Sequence, residues 1–225
     1  MYRRALVLLL TFGLAACDTG SPPAAEPTQA ATEQPVSGPQ RTILAFGDSL
    51  FAGYNLAEAE GYPEQMELAL RAGGINARLI DAGVSGDTTA AGRQRIGFVL
   101  DNATTVPDLA IVELGGNDLL RGITPDQTRE NLDAILAELA ERRIPVLLMG
   151  MRAPPNMGAQ YQAAFDGLYP ALAEQYGAAL VPFFLEAVYD QPALIQPDRI
   201  HPTADGIEAL VAATSGAVVD ALPPQ

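Results

Sequence analysis

The 225-residue chain has no lysine and no tryptophan, a single cysteine and a single histidine. Each scarcity closes a chemical route. Without lysine there is no Schiff base, no P-loop ammonium and no Ser-Lys dyad. One cysteine forbids an intrachain disulfide, a CxxC redox pair or a zinc ribbon, and one histidine forbids a multi-histidine metal centre. No cofactor and no metal is therefore expected. Basic charge is also scarce: 13 arginines face 27 acidic residues, for a formal charge of −14. With no basic cluster to offset that repulsion, nucleic acid is excluded as a partner. What the chain does have is apolar material. Hydrophobic residues make up 48% of it, enough for one core, and its length fits one catalytic-size domain plus a tail.

That tail is at the start. Arg3 and Arg4 precede the apolar run Ala5–Leu10, and Leu14-Ala15-Ala16 leads directly into Cys17. Residues 1–16 read as a signal peptide, too short to stay in a bilayer as a spanning helix. Leu-Ala-Ala-Cys resembles the lipobox of bacterial lipoproteins. That resemblance implies lipidation of Cys17 and a protein anchored to a bacterial membrane, facing the periplasm or the exterior. Removing residues 1–16 leaves eleven arginines against 27 acids, a net charge of −16. The following residues, up to position 40, are mostly Pro, Ala, Thr, Gln and Glu and cannot repay the entropy of ordering. Residues 17–40 are thus expected to be the lipidated cysteine and a disordered linker, with the working domain over 41–225.

From Thr42 onward, short apolar runs alternate with longer helical patterns, as in an α/β fold with a parallel sheet covered on both faces. Strands are expected near 43–47, 77–82, 108–114, 145–150 and 178–182. Helices are expected near 61–73, 88–100, 125–143, 158–176 and 203–221. Thr124-Pro125-Asp126-Gln127 is a capping box with proline at the first helical position, and Leu132, Ile135, Leu136 and Leu139 form one stripe behind it. Tyr161, Phe165, Leu168, Leu172 and Tyr176 form a second stripe, read as core.

Ligands of open parallel sheets lie beyond the carboxyl ends of the strands. Three small polar loops are expected there: Gly47-Asp48-Ser49-Leu50, Gly83-Val84-Ser85-Gly86-Asp87 and Gly115-Gly116-Asn117-Asp118. Glycine-rich loops can cradle phosphate, so nucleotide binding is one alternative, although GxGxxG and a P-loop are absent. Nucleophilic catalysis is the other. Of five serines, Ser21 and Ser37 fall in the linker and Ser215 in the last helix, leaving Ser49 and Ser85 at strand ends. A serine needs a base, and the sole imidazole is His201. Asp198, three residues earlier in a proline-bounded turn, can hold its Nδ1 proton and stabilise the imidazolium. The GxSxG elbow of α/β-hydrolases is missing.

GDSL at 47–50, Gly86 in GVSGDTTAAG, Asn117 in ELGGND and Asp198 with His201 together resemble the four blocks of the SGNH (GDSL) hydrolase superfamily. VELGGNDLLRG and VPFFLEAVY are most similar to the branch holding thioesterase I/lysophospholipase and bacterial arylesterases. The resemblance implies a flavodoxin-like three-layer α/β/α fold with five parallel strands in the order 2-1-3-4-5. It further implies that Ser49 is the nucleophile, His201 the base and then acid, and Asp198 its partner. The N–H groups of Ser49 and Gly86 and the Asn117 amide would form the oxyanion hole. Asp48, Asp87, Asp118 and Glu113 are read as structural, holding loop N–H groups. Asp81 stands where relatives often carry asparagine, with a loop hydrogen bond as its expected role. The loop after Asn117 and residues 151–160 are expected to line an acyl pocket. The implied function is a serine esterase acting on small acyl esters or lysophospholipids through an acyl-enzyme. Two alternatives use the same pocket: O-deacetylation of envelope carbohydrate, and non-catalytic binding of an envelope ligand.

Overall fold

The computed structural model describes residues 36–224; the expected signal peptide, Cys17 and most of the expected linker lie outside them. The described end of that linker touches the domain where Asn76 Nδ2 donates to the Gly38 carbonyl at 3.0 Å.

Five parallel strands form one sheet in the order β2-β1-β3-β4-β5. They are β1 (Arg41–Gly47), β2 (Ala77–Gly83), β3 (Leu109–Glu113), β4 (Val146–Met149) and β5 (Ala179–Val181). Both neighbours of β1 run parallel to it in register, Gly47 lying beside Gly83 and Glu113. The strand bounds differ from expectation for local reasons. β1 begins two residues early because Arg41 and Thr42, both buried, are held by the Asp108 carboxylate, with Thr42 N–H donating to it at 2.7 Å. β4 is shorter by one residue at each end, where Pro145 and Gly150 stand. Pro182, which has no N–H for a ladder, follows the last residue of β5.

All five expected helices form: α1 (Tyr62–Ala72), α2 (Thr89–Asp101), α4 (Pro125–Glu141), α5 (Ala159–Tyr176) and α6 (Ala204–Ala221). A sixth, α3 (Gly116–Arg121), lies where the sequence suggests a loop. It is only six residues long and sits between Gly115 at φ 118° and Gly122 at φ 65°. α4 has the expected capping box at Thr124 and Gln127, and it stops two residues short of expectation because Arg143 turns left-handed at φ 60°. α2, α4 and α5 pack in a row, and α1 and α6 pair with each other, so helices cover both faces of the sheet. Both expected stripes pack inward: Leu132, Ile135, Leu136, Leu139, Phe165, Leu168 and Leu172 are buried. The outer tyrosines of the second stripe keep their hydroxyls on carbonyls, Tyr161 on Ile123 at 2.7 Å and Tyr176 on Asp133 at 3.1 Å. Among the described residues, no helix is long and apolar enough to cross a membrane.

Two packing details shape the carboxyl end of the sheet. Phe51 stacks on Tyr62 at 4.9 Å, and Phe184 meets both rings edge-on, so the turn after β1 is pinned to the α1–α6 layer. Gly115 has Tyr169 against it, whose hydroxyl donates to the Leu114 carbonyl at 3.0 Å. A Cβ at 115 would strike that hydroxyl at a backbone angle that side chains avoid. Gly115→Ala is therefore expected to cost about 2 kcal/mol or more. Urea unfolding should show a lower midpoint at unchanged slope.

Candidate active site

The turn after β1 presents Asp48 and Ser49 at the carboxyl end of the sheet. It closes through Ala52 N–H to the Asp48 carbonyl at 3.0 Å and Tyr54 N–H to the Ser49 carbonyl at 3.2 Å. Gly83 lets the second loop come close, since a Cβ there would lie 2.9 Å from the Phe51 carbonyl carbon and 3.0 Å from the Asp48 oxygen. Val84 N–H then donates to the Gly47 carbonyl at 3.0 Å. Arg95 clamps the same place from α2. Its Nη2 donates to the Gly47 carbonyl at 2.9 Å, its Nε pairs with Asp87 at 2.6 Å, and its guanidinium lies over the Phe46 ring.

His201 arrives from the opposite direction of the chain. Its loop is tied by an Ile195–Pro202 bridge, by Gln196 N–H to the His201 carbonyl at 2.7 Å, and by a left-handed Arg199 at φ 63°. The Gln196 amide donates to the Tyr54 carbonyl at 2.9 Å and to the Pro202 carbonyl at 2.8 Å, joining this loop to the turn of Ser49. The Tyr54 ring lies over the imidazole with centroids 4.3 Å apart.

Within this frame Ser49 Oγ is 2.8 Å from His201 Nε2, and His201 Nδ1 is 2.7 Å from Asp198 Oδ2. The other oxygen of Asp198 accepts the N–H groups of Ile200 and His201 at 2.9 and 3.1 Å. Burial pushes the Asp198 carboxyl upward, but the hydrogen bond from His201, the two backbone donors and the imidazole charge outweigh it and bring it down to about 2. An ionised Asp198 holds the proton on Nδ1, so Nε2 is free to accept the serine proton. Ser85, the other strand-end serine, is exposed.

Neither the Ser49 N–H nor the Gly86 N–H has an acceptor among the described residues. Gly86 adopts φ 88°, and its carbonyl accepts from Arg121 Nη2 at 2.7 Å. Asn117, in the first turn of α3, donates from Nδ2 to Asp48 Oδ2 at 3.0 Å, which leaves its second N–H available. Three of the four acids read as structural do hold a loop N–H: Asp48 that of Leu50 at 3.1 Å, Glu113 that of Asp48 at 3.4 Å, and Asp118 that of Thr89 at 2.9 Å. Asp87 does not; it is committed to Arg95. Asp81 accepts the Gly83 N–H at 2.7 Å, as expected, and burial pushes its carboxyl up. Met151 is buried with its Cε near Gly116, placing the start of segment 151–160 beside the site.

The contributions of Tyr54, Gln196, Arg95 and Arg121 are not legible from the sequence, because each acts through a contact across loops. Among the described residues, no cluster of three or more His, Cys, Asp or Glu side chains has the arrangement to hold a metal ion. A concavity of about 300 Å³ lined by Leu136, Ile144, Tyr176 and Asp220 lies at the other end of the strands, away from Ser49.

Comparison with known proteins gives the family. The GDSL-like lipase/acylhydrolase family matches residues 45–209. The esterase TesA of Pseudomonas aeruginosa is 40% identical over 162 residues, covering 72% of this chain and 80% of its own. Thioesterase 1/protease 1/lysophospholipase L1 of Escherichia coli is 38% identical over 164 residues, covering 73% of this chain and 76% of its own. The crystal structure of AlinE4, an SGNH-hydrolase family esterase, superposes with a TM-score of 0.71 at 68% identity, covering 84% of this chain and all of that one.

The low position of Asp198 sets an expectation for pH. Its charge persists down to about pH 2, so on the acid side only protonation of His201 removes the base. The logarithm of kcat/KM should rise with unit slope as pH increases through that limb. A slope of two would require a second group, and Asp198 would be the first suspect.

Proposed function

The chain belongs to the GDSL-like lipase/acylhydrolase family and is a serine esterase acting on acyl esters, and from that premise we propose how its residues divide the reaction. Ser49 Oγ attacks the ester carbonyl while His201 Nε2 takes its proton. The carbonyl oxygen, now negative, sits against the N–H groups of Ser49 and Gly86 and the free N–H of Asn117. His201 returns the proton to the leaving alkoxide, so alcohol departs and an acyl-serine remains. Water then repeats the cycle, giving up its proton to His201 and releasing the free acid and Ser49. Asp198 keeps the imidazole in the accepting tautomer and offsets its charge when protonated. The observation that carries this reading is the 2.8 Å contact between Ser49 Oγ and His201 Nε2.

The enzyme's substrate is a lysophospholipid or a short-to-medium acyl ester. Support comes from the lysophospholipase and arylesterase activities in the names of relatives, the latter from Vibrio mimicus. We also propose that residues 1–16 are removed, that Cys17 carries the lipid anchor, and that residues 41–225 form the hydrolase domain working in the cell envelope. The Leu-Ala-Ala-Cys sequence supports this.

Purified Ser49→Ala should lose turnover of p-nitrophenyl esters at every chain length, and His201→Ala should lose nearly as much, since the pair acts as a unit. Asn117→Ala should lower kcat about 10²–10³-fold with little change in KM, as for loss of one preorganised donor. Full turnover by Ser49→Ala would end this reading. For the anchor, wild type expressed in a bacterium fed labelled fatty acid should take up label, and Cys17→Ser should not.

A further inference from the structure

Among the described residues, two carboxyls are wholly buried, those of Asp118 and Glu113; Thr89 and Thr128 supply donors to Asp118, whereas Glu113 is left almost without them. Glu113 ends β3 beside Gly47, at the level of the site, and none of it is exposed. Its Oε2 accepts the Asp48 N–H at 3.4 Å. Its Oε1 has no N–H or O–H partner among the described residues. The two buried carboxyl groups of Glu113 and Asp48 are neighbours, since Glu113 Oε2 meets the main chain of Asp48, and each charge acts on the other. Two carboxylates cannot bond; a buried pair of this kind closes only around a shared proton.

Asp48 is the better anion of the two. Burial raises its carboxyl too, but less than that of Glu113: its Oδ1 accepts the Leu50 N–H at 3.1 Å, its Oδ2 accepts Asn117 Nδ2 at 3.0 Å, and these bonds and the His201 charge pull it back down. Glu113 has only the long contact from the Asp48 N–H. Burial first, and the Asp48 charge second, hold its carboxyl well above the usual range. We propose that Glu113 is a positioning residue that stays a neutral acid and donates its proton to the Asp48 carboxylate. Asp48 then grips the Asn117 amide from behind and leaves its second N–H aimed at the oxyanion. This rests on the oxyanion role of Asn117 in the proposed ester cleavage.

The same arrangement gives the enzyme an alkaline limit. When Glu113 ionises, a second negative charge appears against Asp48, and the acceptor that fixes Asn117 loses its own donor. The other titratable groups that feel the charge of this pair are Tyr62 of α1, Tyr169 of α5 and His201; Asp118 and Asp166 act on Tyr169. Burial pushes both tyrosines upward, so they stay neutral. The charge that develops on the alkaline side is that of Glu113.

Glu113→Gln tests this, because an amide N–H donates to Asp48 at any pH. Its kcat at neutral pH should stay within about threefold of wild type, and the alkaline fall in kcat should move up or vanish. Glu113→Leu removes the donor and should lower kcat about tenfold at unchanged KM. Infrared spectra of the wild-type enzyme should show a protonated carboxylic acid at neutral pH that is lost along the alkaline limb, and the band should be missing in Glu113→Gln. Superimposable alkaline limbs for wild type and Glu113→Gln, a wild-type kcat in Glu113→Leu, or no such band at neutral pH would each overturn the proposal. Failure of the hydrolytic reading is separately visible, since it appears as turnover by Ser49→Ala with the infrared band intact.

Discussion

At Gly47 there is no room for a side chain. A Cβ would lie 2.8 Å from Phe51 Cδ2 and 2.9 Å from the Glu113 carbonyl, so β1 ends packed against its neighbour and against its own continuation. The carbonyl of Gly47 is shared by Val84 from the second loop and Arg95 from α2. The parts of the site are all placed relative to this point. Ser49 lies two residues beyond it, Gly86 is brought up by the second loop, and Glu113 lies alongside in register. With β1 in the middle of its three-strand neighbourhood, the ends of β2 and β3 are delivered to its two sides, and the site is assembled by sheet order before any side chain is considered.

Depth then sorts the carboxyls. Asp198 sits at the rim, its side chain 34% exposed, and four favourable interactions keep it charged. Asp48 is buried but surrounded by donors. Glu113 is buried with almost none. The same functional group thus serves as a partner to an imidazole, a grip on an amide and a neutral acid, and what separates these states is the supply of N–H groups at each depth rather than residue type.

Much of the fold is legible in the sequence because it rests on periodicity. The capping box at Thr124 and the stripes through α4 and α5 are local patterns, and a local pattern survives translation into structure. Strand ends are less legible: β1 opens on Arg41, whose burial depends on Asp108 sixty-seven residues away. α3 escapes the sequence because six residues cannot display a helical period, although the flanking Gly115 and Gly122 are a signal that could have found it. The pairing of His201 with Asp198 is a short-range spacing and is readable. The choice between Ser49 and Ser85 is carried by resemblance, and among the described residues it is Ser49 that hydrogen-bonds His201. The loop role expected of Asp87 is wrong, since nothing local reveals that Arg95 takes its charge. Glu113 looks like any acid near a glycine-rich loop; only complete burial with almost no donor sets it apart.

Beside the Tyr54 ring on the imidazole and the Ser49–His201 contact, Gln196 is what joins the two halves of the site. Its amide spans from the Tyr54 carbonyl, in the turn of Ser49, to the Pro202 carbonyl beside His201. The loop it ties down is largely exposed and contributes little to the apolar core, whereas the turn it is tied to is stapled by Phe51 into the deepest layer. One partner is rigid and the other is held by polar contacts that water can replace, so the loop belongs to the part of the molecule that opens first. Warming should therefore separate imidazole from hydroxyl while the sheet is still intact. The enzyme would fall silent at a temperature where its circular dichroism is unchanged, and cooling would restore it.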